Sequence, residues 1–254
     1  MIFKRMLRAF GVGGPTVDTV LPDPNARPGE TLRGEVRVAG GEYPVLIDNI
    51  TVGLETRVEA EDGDALLEFH RASVAGNFTL AAGERQDIPF EVEVPWETPV
   101  THLEGRHLTG MIMGLRTELS VAKAVDQGDL DEVAIHPWPA QEKILKAFEG
   151  QGFRFRHAEV ERGGIYGVRQ ELPFYQEILL IAPPEMAKAV DEVEVTFVAD
   201  AAGVEVILEF DKHSGLLTEG HDVVSRFRVE HANAELTDWT SVVEGWIHQA
   251  LTSQ

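Results

Sequence analysis

The sequence predicts an all-β protein of two antiparallel β-sandwich domains, with short helices at both termini and one helix that opens the second domain. Apolar and polar residues alternate along many short segments, which is the pattern of half-buried strands. Turn residues separate these segments at intervals of about 8–12 residues, as in sandwiches. The prolines of the segment HPWP (136–139) interrupt strand pairing, so we expect the domains at 1–134 and 135–254.

In the first domain, four segments show the alternation most clearly. They are 32–38, 47–59, 88–95 and 111–122. In the first of them, Leu32, Val36 and Val38 form the apolar face, and Pro28-Gly29 supply the preceding turn. We expect each segment to bury one face against a second sheet.

The second domain is predicted to open with a helix over 139–150. Pro139 suits the first turn of this helix and Gly150 its end. Its apolar face consists of Ile144, Leu145 and Phe148. Further along, 193–200 and 204–211 flank a short turn and predict a hairpin, and 226–231 predicts another strand.

The C-terminal segment has the spacing of an amphipathic helix. Its apolar positions are Trp239, Val242, Val243, Trp246, Ile247 and Ala250. Thr237 is the predicted N-cap residue, and Asp238 suits the positive end of the helix dipole.

Composition excludes several classes of function. The chain has 22 Lys and Arg against 43 Asp and Glu, a formal net charge of −21, which disfavours nucleic acid and anionic membranes as partners. It has no Cys, which excludes disulfides and thiolate metal sites and suits a reducing cytoplasm. No run of 18 apolar residues predicts an integral membrane segment. Nothing in the sequence indicates a cofactor.

The first ten residues predict a basic amphipathic helix. Its apolar face consists of Ile2, Phe3, Met6, Leu7 and Phe10, and its other side of Lys4, Arg5 and Arg8. A helix this short is not stable alone in water, so the apolar face is expected to dock on something. Its own domain, the C-terminal helix, a partner groove and a membrane surface all remain open. These eight residues are the candidate partner-binding residues.

Three constellations invite a chemical interpretation, and each has a simpler one. Ser214, His221 and Asp222 form an imaginable catalytic triad, although such residues are ordinary loop formers. His102, Glu104 and His107 suggest zinc, but the two histidines would point to opposite faces of a strand and would not share one face of a helix. Gly105 leaves a loop geometry possible, and loop or strand-edge residues are the simpler interpretation. The carboxylates of Asp126, Asp129 and Asp131 suggest a weak calcium site, or an acidic turn between the domains.

The order of motifs resembles the bacterial sporulation-control protein M family, the stage-zero sporulation regulators. The motifs are GVGG, TVDTVL, RPGETLRGEVRVAGG, PFEVEVPWETPVT, LRTELSVAKAVDQGDLDE and HPWPAQEKILKAFEGQGFRFRHAEVE. The resemblance covers nearly the whole chain. It implies two arrestin-like domains in a cytoplasmic regulator of the sporulation phosphorelay, and it supplies no catalytic or ligand-binding residues.

We therefore expect a non-enzymatic adaptor that acts through protein–protein interaction. Its sheet edges could accept an added strand, and its acidic surface favours partners with a basic face. Homodimer formation through sheet edges or terminal helices stays open. The alternatives are a Ca²⁺ or small-molecule binding module near Asp126, Asp129 and Asp131, and a serine hydrolase.

Overall fold

The structure is a computed structural model, and it describes residues 8–9, 13–59, 63–121, 127–186, 189–211 and 223–252. Within these ranges the protein is mostly β, with two α-helices and one 3-10 turn. The strands are β1 (Arg8–Ala9), β2 (Thr16–Val20), β3 (Asn25–Ala26), β4 (Thr31–Ala39), β5 (Val45–Val58), β6 (Ala65–Leu80), β7 (Arg85–Glu93), β8 (His102–Leu103), β9 (Arg106–His107), β10 (Met113–Val121), β11 (Gln127–Glu132), β12 (Ala134–Ile135), β13 (Arg154–Arg162), β14 (Phe174–Ile181), β15 (Glu192–Ala199), β16 (Gly203–Asp211) and β17 (Val223–Glu230). The helices are α1 (Pro139–Gly150) and α2 (Trp239–Thr252).

The chain divides into two compact units. The first comprises Met1–Arg57, Leu66–Pro95 and Ile112–Ile135, and the second comprises Val58–Ala65, Trp96–Met111 and His136–Gln254. Two segments within the predicted first domain, Val58–Ala65 and Trp96–Met111, thus belong to the second unit by their contacts. No helix among the described residues is long and apolar enough to cross a membrane.

The first unit contains two four-stranded sheets, with strand orders β1-β2-β4-β7 and β11-β10-β5-β6. β2 lies against β10 and β11, so the sheets face each other across an apolar core. The predicted apolar positions Leu32, Val36 and Val38 are all buried there. In the middle of this core the Oγ1 atoms of Thr19 and Thr117 are 2.6 Å apart. A two-stranded parallel sheet, β3 with β12, completes the unit.

The N-terminal prediction needs one correction. Arg8 and Ala9 form a strand that pairs with Val17 and Thr16, where the sequence predicted the last turn of a helix. Backbone pairing with the edge of a sheet satisfies peptide groups that a ten-residue helix could not satisfy alone. The rest of the predicted helix, residues 1–7 and 10, lies outside the described residues.

The second unit is built on a five-stranded antiparallel meander, β13 to β17 in chain order. The predicted hairpin is confirmed as β15 and β16. α1 contacts β13 and α2 contacts β17, where the rings of Phe227 and Trp246 stack at 4.3 Å. Among the described residues of this unit, α1, α2 and the two-stranded sheet of β8 and β9 accompany the five-stranded sheet.

Both predicted helices of the second unit are confirmed. α1 begins after Trp138, whose backbone N–H donates to the side chain of Gln141 at 2.8 Å. At α2, the predicted cap Thr237 is wrong, because its hydroxyl donates to the carbonyl of Asn233. The carboxylate of Asp238 instead accepts from the backbone and hydroxyl of Ser241, at 3.3 and 2.8 Å. Asp238 follows Thr237 and directly precedes the helix, so its carboxylate can reach the free N–H groups of the first turn.

Candidate functional site

The predicted partner-binding face is mostly beyond the described residues. This holds for Ile2, Phe3, Lys4, Arg5, Met6, Leu7 and Phe10, while only the backbone of Arg8 is described. Ser214, His221 and Asp222 also lie outside the described residues. The structure therefore leaves both hypotheses as predictions.

The acidic segment predicted as a turn is a strand. Asp129 and Asp131 lie on β11, opposite Thr117 and Leu115 of β10, whereas Asp126 is outside the described residues. Pairing with β10 extends the sheet, which satisfies the backbone groups of this segment better than an open turn would. In the described part of the chain, neither aspartate belongs to a group of three or more converging metal-ligand side chains.

His102 and His107 are brought together, contrary to the single-strand argument. They are directly paired across the hairpin of β8 and β9, and their ring centroids are 5.2 Å apart. Glu104 and Gly105 form the turn, with φ of 47° and 74°, the left-handed values of a two-residue hairpin. Glu104 binds Lys146 of α1 at 2.9 Å and not a histidine. Among the described residues these side chains form no converging metal-ligand group.

A groove in the second unit lies beside this hairpin, with a volume of about 300 Å³. Its floor is apolar and consists of buried Leu108, Leu145, Phe153, Ile178 and Leu180. Its rim is charged with both signs and includes Glu104, Arg106, Glu142, Lys146, Glu149 and Arg154. An apolar floor can hold an apolar side chain of a partner. Because the rim carries both signs, it does not favour a partner of either charge.

One face of the β13–β17 sheet holds a cluster of acids that sequence reasoning missed. Carboxylate oxygens of Glu159, Glu161 and Glu177 lie within 4.8 Å of one another. Burial raises the pKa of Glu177 to about 8, and repulsion from Glu194 and Glu161 contributes. The pKa of Glu59 is also raised, chiefly by repulsion from Glu159. Such a cluster can retain a proton at neutral pH, and it has no feature that specifies a metal.

The sheet edges differ in how well they are protected against strand addition. β7 carries Pro89 and four charged residues in nine positions, and β11 carries three acids in six. Charges and proline on an edge discourage pairing with another chain. β6 is sixteen residues long, contains no proline or lysine, and has β5 as its neighbour in the described sheet. Its two charges, Glu68 and Arg71, bind each other at 2.5 Å.

The fold is that of an arrestin-like, mostly β protein. Residues 3–214 match the family described as SpoOM protein. The chain is 30% identical over 253 residues to the sporulation-control protein Spo0M of Bacillus subtilis (strain 168), covering 95% of each. The crystal structure of Spo0M from Bacillus subtilis matches with a TM-score of 0.80 and 28% identity, covering 94% of this chain and 100% of that one.

The chain therefore belongs to the Spo0M family. The resemblance inferred from the order of its motifs is confirmed, and so is the mostly β, arrestin-like fold.

Proposed function

We propose that this protein is a cytoplasmic regulator of sporulation that acts as a non-enzymatic adaptor, binding a protein partner by strand addition at β6. The regulatory part rests on its relationship to a sporulation-control protein over 95% of both chains. The adaptor part rests on β6, which is the observation that carries the mechanism.

β6 has the properties of an edge that accepts another strand. It is long enough to pair with a strand of ordinary length, about five or six residues. Leu66 is 55% exposed, and the Glu68–Arg71 pair leaves this edge without net charge. Backbone hydrogen bonds would supply affinity, and alternate side chains would supply specificity.

The test places charges on this edge. Leu66→Lys with Thr79→Lys introduces two exposed lysines on β6, which disfavour strand addition and leave the core intact. Leu46→Lys is the matched control, because Leu46 is 48% exposed in the same unit but lies on β5, between two other strands.

Each variant is returned to cells that lack the gene, and heat-resistant spores are counted. The wild type and Leu46→Lys are expected to restore the normal count, and the double-lysine variant to fail although it is folded by circular dichroism. Full restoration by the double-lysine variant would contradict strand addition at β6. An unchanged spore count after deletion of the gene would contradict the regulatory role.

The non-enzymatic part has its own test. Ser214→Ala removes the only nucleophile of the imagined triad, so it is expected to restore sporulation fully. Loss of function in a folded Ser214→Ala protein would favour the hydrolase alternative.

A further inference from the structure

The loop between β13 and β14, residues 163–173, is held in one conformation by side chains from inside and outside it. At its base, the N–H of Gly163 donates to the carbonyl of Pro173 at 2.9 Å. Gln170 accepts from the N–H of Ile165 at 2.9 Å and donates to the carbonyls of Leu172 and Phe174, at 3.1 and 2.8 Å. One glutamine thus crosslinks the interior of the loop.

Two residues distant in sequence anchor the same loop. Arg226 of β17 donates to the carbonyl of Tyr166 at 2.7 Å and to that of Gly167 at 2.8 Å. The carboxylate of Glu97 accepts from the backbone N–H groups of Glu171 and Leu172, each at 2.8 Å. These bonds involve charged groups, which makes them stronger than neutral ones.

The tip of the loop is a tight turn that displays Tyr166. The N–H of Val168 donates to the carbonyl of Ile165 at 3.1 Å, with Tyr166 and Gly167 at the two central positions. Gly167 has φ of +72°, which glycine adopts without strain, and so the turn needs glycine here. Tyr166 is 98% exposed, more than any other exposed large apolar or aromatic side chain in the described residues.

Such an arrangement is typical of a recognition element. A tyrosine ring that stays in water adds no burial free energy to folding. Aromatic rings buried at protein interfaces, in contrast, contribute much of the binding energy. A loop that is already ordered loses little conformational entropy when it binds. The chain uses the seven side-chain hydrogen bonds described above, from Arg226, Gln170 and Glu97, to fix a loop whose outermost side chain is almost fully exposed.

The charged side chains of the loop and of its base indicate the kind of partner. Arg162 and Arg169 are exposed and form no ion pair within the described part of the chain. Four acids line the neighbouring recess with Arg169, namely Glu97, Glu171, Asp200 and Glu205, and three of them are engaged. Glu97 binds the loop backbone, Asp200 binds Arg228 at 2.8 Å, and Glu205 lies 3.7 Å from Arg226. Residues 162–173 carry two arginines and one glutamate, Glu171, so this segment has a formal charge of +1 in a chain of net charge −21.

We propose that the 163–173 loop is a preformed protein-recognition element, whose Tyr166 enters an apolar pocket on a partner bordered by carboxylates that pair with Arg162 and Arg169. The inference rests on the proposed adaptor function and adds a second contact surface to it, with an acidic partner surface in place of the basic one expected from net charge. Tyr166 supplies the apolar contact, and the arginines supply orientation and rate of association.

The experiment begins with a photo-crosslinking residue, p-benzoylphenylalanine, placed at position 166 of the full chain in its native cell. The same residue at position 236 is the matched control, because Leu236 is 87% exposed in the same unit but lies outside the loop. We expect a discrete adduct at 166 that is absent or several-fold weaker at 236, with the crosslink on a segment of net negative charge.

The partner found in that adduct is then purified and its Kd is measured. Tyr166→Ala and Arg169→Glu are each expected to weaken binding by about tenfold, whereas Tyr166→Phe and Leu236→Ala stay within about twofold. Equal adducts at 166 and 236, a crosslink on a basic segment, or a Kd unchanged by Tyr166→Ala would overturn the proposal.

The experiments distinguish an error in the proposed role of the loop from an error in the proposed adaptor function. If a partner binds the wild type and Tyr166→Ala equally but loses affinity for the β6 double-lysine variant, the loop proposal fails and the adaptor function stands. If gene deletion leaves spore counts unchanged, the proposed function fails whatever the adduct at 166 shows.

Discussion

Glu159 and Glu177 face each other directly across β13 and β14, and with Glu161 they form one close group of carboxylates. Opposed like charges on neighbouring strands disfavour pairing unless one of them is neutral. Burial, the largest cause, raises the pKa of Glu177 to about 8, so this residue keeps its proton at neutral pH and the pair is tolerated.

This relationship predicts how stability depends on pH. The folded-state pKa of Glu177 is above its unfolded value, so the folded protein binds more protons and the stabilisation is complete below about pH 4.5. It is lost as pH rises towards about 8 and beyond. Glu177→Gln mimics the protonated form. We expect it to raise the free energy of unfolding at pH 9 by about 1 kcal/mol or more, and to have little effect at pH 4.5.

Urea unfolding at pH 4.5, 7 and 9 measures this effect. Glu185→Gln, at an exposed position of the same unit, is the control for loss of one negative charge. A Glu177→Gln protein that gains the same stability at pH 4.5 as at pH 9 would show that Glu177 is not the group that titrates.

The buried hydroxyl pair in the first unit predicts a strong coupling. Thr19 and Thr117 are both 0% exposed and bond across the two sheets. Thr19→Val leaves the other hydroxyl buried without its partner, which we expect to cost about 1–3 kcal/mol, and Thr117→Val likewise. The double variant removes both polar groups and is expected to cost less than the sum. Denaturant unfolding of the four proteins measures the coupling, and additive effects would contradict it.

The parts of the fold that the sequence predicts are those where a local period or cap is decisive. The α1 helix has a proline start and an apolar face of Ile144, Leu145 and Phe148, all of which are buried. The β15–β16 hairpin has alternation on both sides of a short turn. Such signals depend only on residues close together in the chain, so a single sequence is enough to recognise them.

The candidate surfaces depend on contacts between distant residues, which no local pattern encodes. Glu159 meets Glu177 only through the register of β13 and β14, and Arg226 reaches Tyr166 across 60 positions. The His102–His107 hairpin has two-residue strands and a Glu-Gly turn in place of the usual Asn-Gly or Asp-Gly. The two turns do carry a local signal, since Gly105 and Gly167 both have the positive φ that favours glycine.

The correction at the start of α2 predicts which residue stabilises that helix. Hydrogen bonds from Ser241 lower the pKa of Asp238, as expected for a carboxylate that caps a helix. Asp238→Ala is expected to lower Tm, because the first-turn N–H of Ser241 loses its acceptor. Thr237→Ala removes a bond to the preceding turn only and should lower Tm less. Thermal unfolding followed by circular dichroism compares the two variants. A larger decrease in Tm for Thr237→Ala would show that Thr237 is the N-cap residue of α2.

The stacked rings of Trp246 and Phe227 predict how α2 is attached to the sheet. Trp246 is 8% exposed, and its ring lies 4.3 Å from that of Phe227 with an interplanar angle of 18°. Trp246→Ala removes this contact and leaves a cavity, which we expect to lower the free energy of unfolding by about 3–5 kcal/mol. Trp246→Phe keeps an aromatic partner for Phe227 and should cost clearly less, since offset stacking itself contributes about 0.5–1.5 kcal/mol. Denaturant unfolding gives both values. If Trp246→Phe is as unstable as Trp246→Ala, the stabilisation by Trp246 comes from the volume of the indole ring and not from its stacking on Phe227.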